Sequence, residues 1–395
     1  MSIQGALRLC GFRESGVQGM TKLGASSSAD VLPIPARVGR NARSAGSATR
    51  TAKPLYTGLQ YARAVAALLV VFYHAAIQAN NQFAGALPIF GKSGVDIFFV
   101  LSGFVMWTST SQRAISPALF LKRRLARIAP LYWALTLAAS TIALIAPHLL
   151  RSTRFDPAHL FASLCFIPWL NPGMPAGDDQ LTPVIIPGWT LNFEMFFYLT
   201  FAIALWRPIE HRLRFLAFLI VAAYGLAVLA RPLGAAPQFY SQGVIFEFLA
   251  GAVIANTVGR RSARSPLVSA IVLLLALAAL LVGDWAGGGI ERAIVLGVPA
   301  TIIIVTVAQI ENAGRLPYLS WLNAAGDASY SIYLTHVFVI AGVRNLVGTV
   351  IGHGVIIDPV VFVALCLLSS ALTGIVVYRF VERPLGSVAK RLLKA

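Results

Sequence analysis

The feature that most constrains this chain is a series of apolar segments, each near the length that crosses a lipid bilayer. They are residues 60–79, 93–109, 129–147, 189–206, 213–230, 240–257, 266–283, 291–310, 328–349 and 359–380. A transmembrane helix needs about 17 to 25 predominantly apolar residues. Its backbone groups must be hydrogen-bonded within the segment, which favours helices in lipid. The sequence therefore predicts an all-α, polytopic transmembrane helical bundle of about ten spans.

One further apolar stretch, Leu160–Leu170, is shorter and ends in Ile167-Pro168-Trp169. Its length favours a re-entrant or interfacial segment. Cytoplasmic loops tend to hold the Lys and Arg residues of a membrane protein. Counting this stretch as a span would place the Arg-rich segments 207–214 and 257–266 outside. When this stretch is not counted as a span, the charge pattern predicts a multi-pass protein of the bacterial inner membrane with both termini in the cytoplasm.

The composition supports a membrane protein over a nucleic-acid-binding one. Hydrophobic residues make up 57% of the chain and charged residues only 12%, against roughly 25% charged residues in soluble domains. The net charge of +17 would suit a nucleic-acid surface only if the cations clustered on one face of a soluble fold. They lie instead between apolar segments, so the expected partner is the lipid bilayer and not nucleic acid. The cysteines are too widely spaced to predict a disulfide framework or a Cys-based metal site.

The chain divides into three predicted parts. Residues 1–55 are rich in Ala, Ser, Gly and Arg and predict a disordered basic cytoplasmic arm; a transit peptide or a start at Met20 are alternatives. Residues 56–385 form the membrane domain, and 386–395 a cytoplasmic basic tail. The longest outside segment, 148–188, is too short to fold as a separate catalytic domain. Any chemistry must therefore lie within the bundle.

Ionisable side chains within spans are expensive in hydrocarbon and indicate functional sites. Arg63 and His74 lie on the first span, roughly 16 Å apart along a helix and about 20° from the same face. Both could line one cavity, with Arg63 near the cytoplasmic end. The alternatives are an Arg63 that snorkels to the headgroups and an interfacial His74. The remaining histidines apart from His336 are expected at the surface, namely His148, His159, His211 and His353.

Glu194 is a carboxylate in an apolar run and shares a helix face with Tyr198. It must be paired or protonated there. It could orient His74, act as a base itself, or pair with a cation such as Arg63. Glu247 is a second buried carboxylate, for which the sequence indicates no role.

Six motifs follow one another along the chain. They are Arg63 with His74, GVDIFFVLSGF at 94–104, RLAR at 124–127, WTLNFEMFFY at 189–198, SYSIYLTH at 329–336 and VERP at 381–384. With these motifs the chain resembles the acyltransferase-3 family of membrane acyltransferases, particularly exopolysaccharide acetyltransferases of the ExoZ type, over roughly residues 55 to 385.

The resemblance implies transfer of an acyl group from cytoplasmic acyl-CoA to a hydroxyl on the outer face. Acetyl-CoA would be a co-substrate, with no permanently bound cofactor and no metal. The acceptor would be a polysaccharide or lipid-linked sugar, and polysaccharide-biosynthesis proteins are expected partners. A transporter or flippase for a lipid-linked glycan is the alternative, because the same polar residues could line its pathway.

The motifs also assign roles to individual residues. His74 would be the general base, Arg63 would hold a CoA phosphate or the developing oxyanion, and Glu194 would complete the catalytic group. A covalent acyl-histidine relay stays open as a variant. A basic cluster would bind the phosphates of CoA. Its members are Lys122, Arg123, Arg124 and Arg127. The alternative is that the cluster is an ordinary cytoplasmic anchor of the membrane protein.

The substrate cavity would be lined by polar and aromatic residues of the same motifs. These are Asp96, Ser102, Trp189, Asn192, Tyr198, Tyr330, Tyr333 and His336. Simpler roles exist for three of them. Asp96 could cap a helix, Ser102 could be a packing residue, and His336 could be a packing histidine bonded to a tyrosine.

Overall fold

The computed structural model describes residues 57–83, 87–111, 114–147, 153–174, 180–257, 261–263, 265–284, 290–350 and 358–395. The predicted N-terminal arm and the residues His148 and His353 lie outside this part of the chain. Within it the structure is all helical, without strands, as predicted.

Fifteen helices follow one another along the described chain. They are α1 (Thr57–Phe83), α2 (Gly94–Ser111), α3 (Pro117–Ile145), α4 (Pro157–Leu164), α5 (Trp189–Ala204), α6 (Ile209–Leu229), α7 (Ala235–Tyr240), α8 (Ile245–Thr257), α9 (Pro266–Gly283), α10 (Ile290–Val295), α11 (Gly297–Asn312), α12 (Ser320–Asp327), α13 (Ser329–Val350), α14 (Pro359–Val377) and α15 (Arg383–Leu393). Short 3₁₀ turns lie at Ile186–Gly188 and Arg231–Leu233.

Eight stretches of helix among the described residues are long and apolar enough to cross a membrane. They are Thr57–Asn81, Gly94–Ser111, Pro117–Ile145, Ile209–Leu229, Pro266–Gly283, Glu291–Asn312, Ser329–Thr349 and Pro359–Leu393. The chain is thus a multi-pass membrane protein. The other two predicted spans correspond to α5 and α8, which have 16 and 13 residues. At 1.5 Å per residue they extend about 24 and about 20 Å, so the count of about ten spans stays a prediction.

The segment Leu160–Leu170, predicted to be re-entrant or interfacial, begins in α4, a helix of 8 residues that ends at Leu164. Asp156 caps it by accepting a hydrogen bond from the His159 backbone N–H at 2.6 Å. A helix of this length extends only about 12 Å and cannot cross hydrocarbon. After Cys165 the chain leaves the helix at Phe166, which has a φ of 58°.

His159 is buried, so the expectation that it lies at the surface was wrong. Its Nε2 lies 2.9 Å from the Thr182 carbonyl oxygen, and burial lowers its pKa. The returning chain at 180–188 covers α4, a packing that the local sequence does not reveal. His211 is exposed, as expected.

Close backbone contact joins α2 to α8. A Cβ added to Gly103 would lie 1.9 Å from the Phe248 carbonyl oxygen, and one added to Gly251 would lie 2.0 Å from that of Val100. Larger side chains would push the helices apart. Small residues of this kind allow transmembrane helices to pack at short range.

Buried aromatic rings surround α5. Phe193 and Phe197 on α5 pack edge to face with Phe99, with centroids 5.9 and 5.8 Å apart. Phe197 also stacks on Phe248 at 4.4 Å. These contacts fix the rotation of α5 and so determine where Glu194 points.

The C-terminal part of the chain returns to α3. Helix α14 continues through a π-helical turn, Tyr378–Glu382, into α15. At Gly386 an added Cβ would lie 3.6 Å from the Ala126 carbonyl oxygen of α3. The contact places α15 beside the arginine-rich first half of α3.

Candidate functional site

Two neighbouring cavities share three arginine side chains. The wide cavity has a volume of about 1080 Å³, and the narrow cavity one of about 110 Å³. Arg63 of α1 and Arg124 and Arg127 of α3 line both. The three arginines therefore form a cationic junction between a large space and a small one.

Positive charge dominates the wide cavity, where α1, α3 and the C-terminal segment meet. Its cationic lining residues are Arg63, Arg123, Arg124, Arg127, Arg379, Arg383 and Lys390. The acidic side chains Asp327 and Glu382 also line it, and Glu382 accepts a hydrogen bond from the Ser331 hydroxyl at 2.6 Å. Because the cations outnumber the acids, the cavity suits an anionic ligand with several charges.

The narrow cavity is lined by both apolar and polar side chains. The apolar ones are Phe98, Phe99, Leu101, Val105, Met106, Ile128 and Leu191. The polar ones, besides the three arginines, are Ser102, Thr190, Glu194, Tyr198, Ser329, Tyr330 and Tyr333. Such a cavity can hold a small group that is apolar at one end and carries an oxygen at the other.

Hydrogen bonds hold the tyrosines of the narrow cavity in place. Tyr198 donates to a carboxylate oxygen of Glu194, and Tyr330 donates to the Ile128 carbonyl oxygen at 2.6 Å. The Tyr333 hydroxyl donates to the Pro187 carbonyl oxygen at 2.9 Å and accepts from Thr190 at 3.0 Å. These bonds predetermine the shape of the cavity before any ligand enters.

Arg124 lies against the aromatic rings of this site. Its guanidinium carbon is 5.3 Å from the Phe120 ring centroid and 5.8 Å from that of Tyr198, within the range of cation–π attraction. Its Nη2 donates to the Ser109 hydroxyl at 3.2 Å. Arg63 donates to the neutral Gln60 side chain at 3.3 Å.

The two membrane histidines lie side by side. The ring centroids of His74 on α1 and His336 on α13 are 5.0 Å apart. Neither residue lines the wide or the narrow cavity. Tyr333, which does line the narrow cavity, has its ring centroid 6.0 Å from that of His336. The predicted base is therefore connected to the narrow cavity through His336 and Tyr333.

The structure brings together most of the residues singled out in the sequence. The narrow cavity is lined by Arg63, Ser102, Arg124, Arg127, Glu194, Tyr198, Tyr330 and Tyr333, and Arg123 lines the wide one. Lys122, Trp189 and Asn192 line neither cavity. Trp189 packs on Phe99, and the Asn192 side chain is fully buried.

Asp96 lies elsewhere, in a separate group of buried charges. It is completely buried and accepts a hydrogen bond from Arg292 of α10 at 2.8 Å. The carboxyl group of Glu247 on α8 faces that of Asp96. We call Asp96, Glu247 and Arg292 the ion cluster. It lines neither of the two cavities.

Three cations of the wide cavity were missed in the sequence. Arg379 lies at the predicted end of a span, Arg383 in the VERP motif and Lys390 in the basic tail, and none of them was assigned to the site. Their spacing of i, i+4 and i+11 places all three on one face of a helix, and this was the available signal. The spacing alone could not show that this face lines a cavity, because that depends on the packing of α15 against α3.

Comparison with known proteins places the chain among acyltransferases. The family model described as an acyltransferase domain, that of the acyltransferase-3 family, matches residues 56–379. The exopolysaccharide production protein ExoZ of Rhizobium meliloti (strain 1021) is 35% identical over 331 residues, which cover 80% of this chain and 94% of the relative. Acyltransferase MdmB of Streptomyces mycarofaciens is 30% identical over 331 residues, covering 76% and 82%. No solved structure matches the chain.

Proposed function

The chain belongs to the acyltransferase-3 family of membrane acyltransferases, and we propose that it is an O-acetyltransferase acting on a polysaccharide. It would move an acetyl group from cytoplasmic acetyl-CoA to a hydroxyl of a cell-surface or lipid-linked glycan. The name of the R. meliloti relative, an exopolysaccharide production protein, supports this class of acceptor. Membership of an acyltransferase family disfavours the alternative of a glycan transporter.

The arginine junction between the cavities is the observation that supports acetyl-CoA as the donor and this region as its binding site. Coenzyme A has a bulky nucleotide with several phosphates and a thin arm that ends in the thioester. The wide cavity offers volume and an excess of cations for the nucleotide. The narrow cavity, reached past Arg63, Arg124 and Arg127, offers a small apolar space for the acyl end. Lys122 lines neither cavity, so the proposed donor site omits it.

The same geometry supports an orientation in the membrane. The wide cavity is lined by the arginine-rich start of α3 and by the basic C-terminal segment. Segments rich in Lys and Arg favour the cytoplasmic side. We therefore place the wide cavity and both termini in the cytoplasm of a bacterial inner membrane, where acetyl-CoA is available.

His74 is the proposed general base. It takes the proton from the acceptor hydroxyl as the hydroxyl oxygen attacks the thioester carbonyl carbon. Arg63, roughly 16 Å from His74 along α1, holds a phosphate of the donor rather than the developing oxyanion. The carbon–sulfur bond then breaks, the CoA thiolate leaves, and it receives the proton from His74. In the covalent variant, His74 itself carries the acetyl group between donor and acceptor.

The test measures acetyl-CoA binding and acetyl transfer to isolated glycan with protein in inverted and right-side-out vesicles. We expect transfer only when acetyl-CoA is supplied to the cytoplasmic face. The Arg124→Ala/Arg127→Ala double variant should bind acetyl-CoA at least tenfold more weakly, because charge-assisted hydrogen bonds contribute about 1.5 to 3 kcal/mol each.

Lys122→Ala is the matched control, since Lys122 lies on the same helix outside both cavities and should bind the donor normally. Wild-type binding by the double variant would show that the donor site lies elsewhere. Transfer supported equally from both faces would contradict the proposed orientation.

A further inference from the structure

The surroundings of His336 fix its protonation pattern. Its Nδ1 lies 2.6 Å from the backbone carbonyl oxygen of Tyr333. A carbonyl oxygen can only accept a hydrogen bond, so Nδ1 carries the hydrogen. In a neutral imidazole the other nitrogen, Nε2, is then a bare acceptor.

The imidazole that carries this acceptor is buried and lies beside the ring of His74. His336 is completely buried, and its Nε2 has no hydrogen-bond partner among the described residues. The centroids of the two imidazole rings are 5.0 Å apart, with the rings tilted by 38°. At this separation, rotation of the His74 ring can bring one of its nitrogens to within roughly 3 Å of a nitrogen that faces it, which is a hydrogen-bond distance. A buried acceptor beside a side chain that can donate is the arrangement from which such a bond forms.

We propose that His336 is a positioning residue for His74. Its Nε2 accepts a hydrogen bond from one ring N–H of His74, which fixes the tautomer and orientation of that ring. The other nitrogen of His74 is thereby left as the proton acceptor. This inference rests on the proposed function, in which His74 is the base. The aspartate of the Ser-His-Asp triad plays the same part, since it holds the catalytic imidazole in one tautomer and orientation.

Tyr333 links this pair to the donor site. Its carbonyl oxygen holds His336, its ring lines the narrow cavity, and its hydroxyl is tied to Pro187 and Thr190. His336 is therefore bonded to a residue that also lines the narrow cavity. The histidine pair and the bound acyl end would keep a defined separation.

Two amide substitutions separate this role from simple packing. In His336→Gln the side-chain amide oxygen can occupy the position of Nε2 and accept from His74. In His336→Asn the amide N–H can occupy the position of Nδ1 and keep the bond to Tyr333, but no acceptor faces His74. A positioning role predicts that Gln preserves more activity than Asn, a role confined to the bond with Tyr333 predicts the reverse, and a role of filling volume alone predicts that Phe stays active.

The experiment compares acetyl transfer by wild type, His336→Gln, His336→Asn, His336→Phe and His74→Ala in reconstituted vesicles. We expect kcat to fall less than about tenfold for Gln and roughly 10²-fold for Asn and Phe, with the KM for acetyl-CoA unchanged. An Asn variant as active as wild type, or a Gln variant as weak as Phe, would overturn the inference. Wild-type turnover by His74→Ala would instead refute the proposed base, so the two failures are distinguishable.

A spectroscopic measurement on the wild-type protein keeps the test independent of how the variants fold. Solid-state NMR with ¹⁵N-labelled histidine should show His336 protonated at Nδ1 and His74 in one fixed tautomer. A mixture of exchanging His74 tautomers would contradict the proposal.

Discussion

Two groups of buried charge in this bundle differ in what surrounds them. At the arginine junction, Arg63, Arg124 and Arg127 outnumber the carboxylate of Glu194, and all four line open space. In the ion cluster, the two carboxyl groups of Asp96 and Glu247 outnumber the single cation, Arg292. Arg292 and Asp96 form a direct ion pair of 2.8 Å. None of the three residues lines the wide or the narrow cavity. Buried charges are tolerated when they are paired or when they serve a ligand. The difference agrees with our proposal that the junction binds the donor, and it assigns the ion cluster to the packing of helices.

Packing supports a structural role for the ion cluster. It joins α2, α8 and α10, and Gly297 makes room for it, since an added Cβ there would lie 2.8 Å from the Glu247 Cγ. Beside it, Asp284 accepts hydrogen bonds from the backbone N–H groups of Gly91 and Ser93. The N-terminal end of α2 is therefore held by Asp284 and by the ion pair of Asp96 with Arg292. Ser102, farther along the same helix, lines the narrow cavity.

The largest expected effect is on the rate of acetyl transfer when the proposed general base is removed. His74→Ala should lower the rate of acetyl transfer by roughly 10² to 10⁴-fold, because a general base acts only on the way to the transition state. Donor binding should stay close to wild type. Arg63→Ala is the contrasting variant, since it should raise the KM for acetyl-CoA as well as slow turnover. Steady-state kinetics with a binding measurement on each variant checks both, and identical behaviour of the two would contradict the separate roles.

The next effect concerns the ion cluster. Arg292→Leu should lower the free energy of unfolding by about 3 to 5 kcal/mol, because it leaves an uncompensated buried charge. The Arg292→Leu/Asp96→Leu double variant should recover part of this loss, since it also removes the carboxylate that was paired with Arg292 and leaves only the Glu247 carboxyl in the cluster.

Thermal and denaturant unfolding in detergent measures these changes. The fraction of Arg292→Leu that stays folded should bind acetyl-CoA normally. If it is stable but cannot bind the donor, the ion cluster belongs to the functional site and the comparison fails.

The smallest expected effect is on acetyl-CoA binding, and it tests whether α15 belongs to the donor site. Arg383→Ala and Lys390→Ala should each weaken acetyl-CoA binding by up to about fivefold, because exposed charge pairs contribute roughly 0.2 to 1 kcal/mol. Arg391→Ala is the matched control, since Arg391 lies on the same helix and does not line the wide cavity. Titration of acetyl-CoA at two salt concentrations measures the difference. Equal effects at all three positions would point to general attraction by the basic tail.

Much of the helical architecture could be predicted because it depends on local pattern. Runs of apolar residues predicted the eight long apolar helices, and the proline and short length of Leu160–Leu170 predicted that it does not span. The lengths of α5 and α8 were not predicted, because the aromatic packing around them and the close glycine contacts at α8 involve residues distant in the chain. The same limit explains the error at His159, which is covered by the returning segment 180–188.

For the candidate site, the sequence by itself determined which residues can carry chemistry. The helical phase of Arg63 and His74, the spacing of Arg124 and Arg127, and Glu194 with Tyr198 all follow from local periodicity. The partners were decided only by the tertiary structure: His74 meets His336, Asp96 meets Arg292, and the C-terminal cations meet α3. Each pair joins different helices. Helix periodicity fixes which face a side chain occupies, but only the packing of the whole bundle fixes what that face contacts.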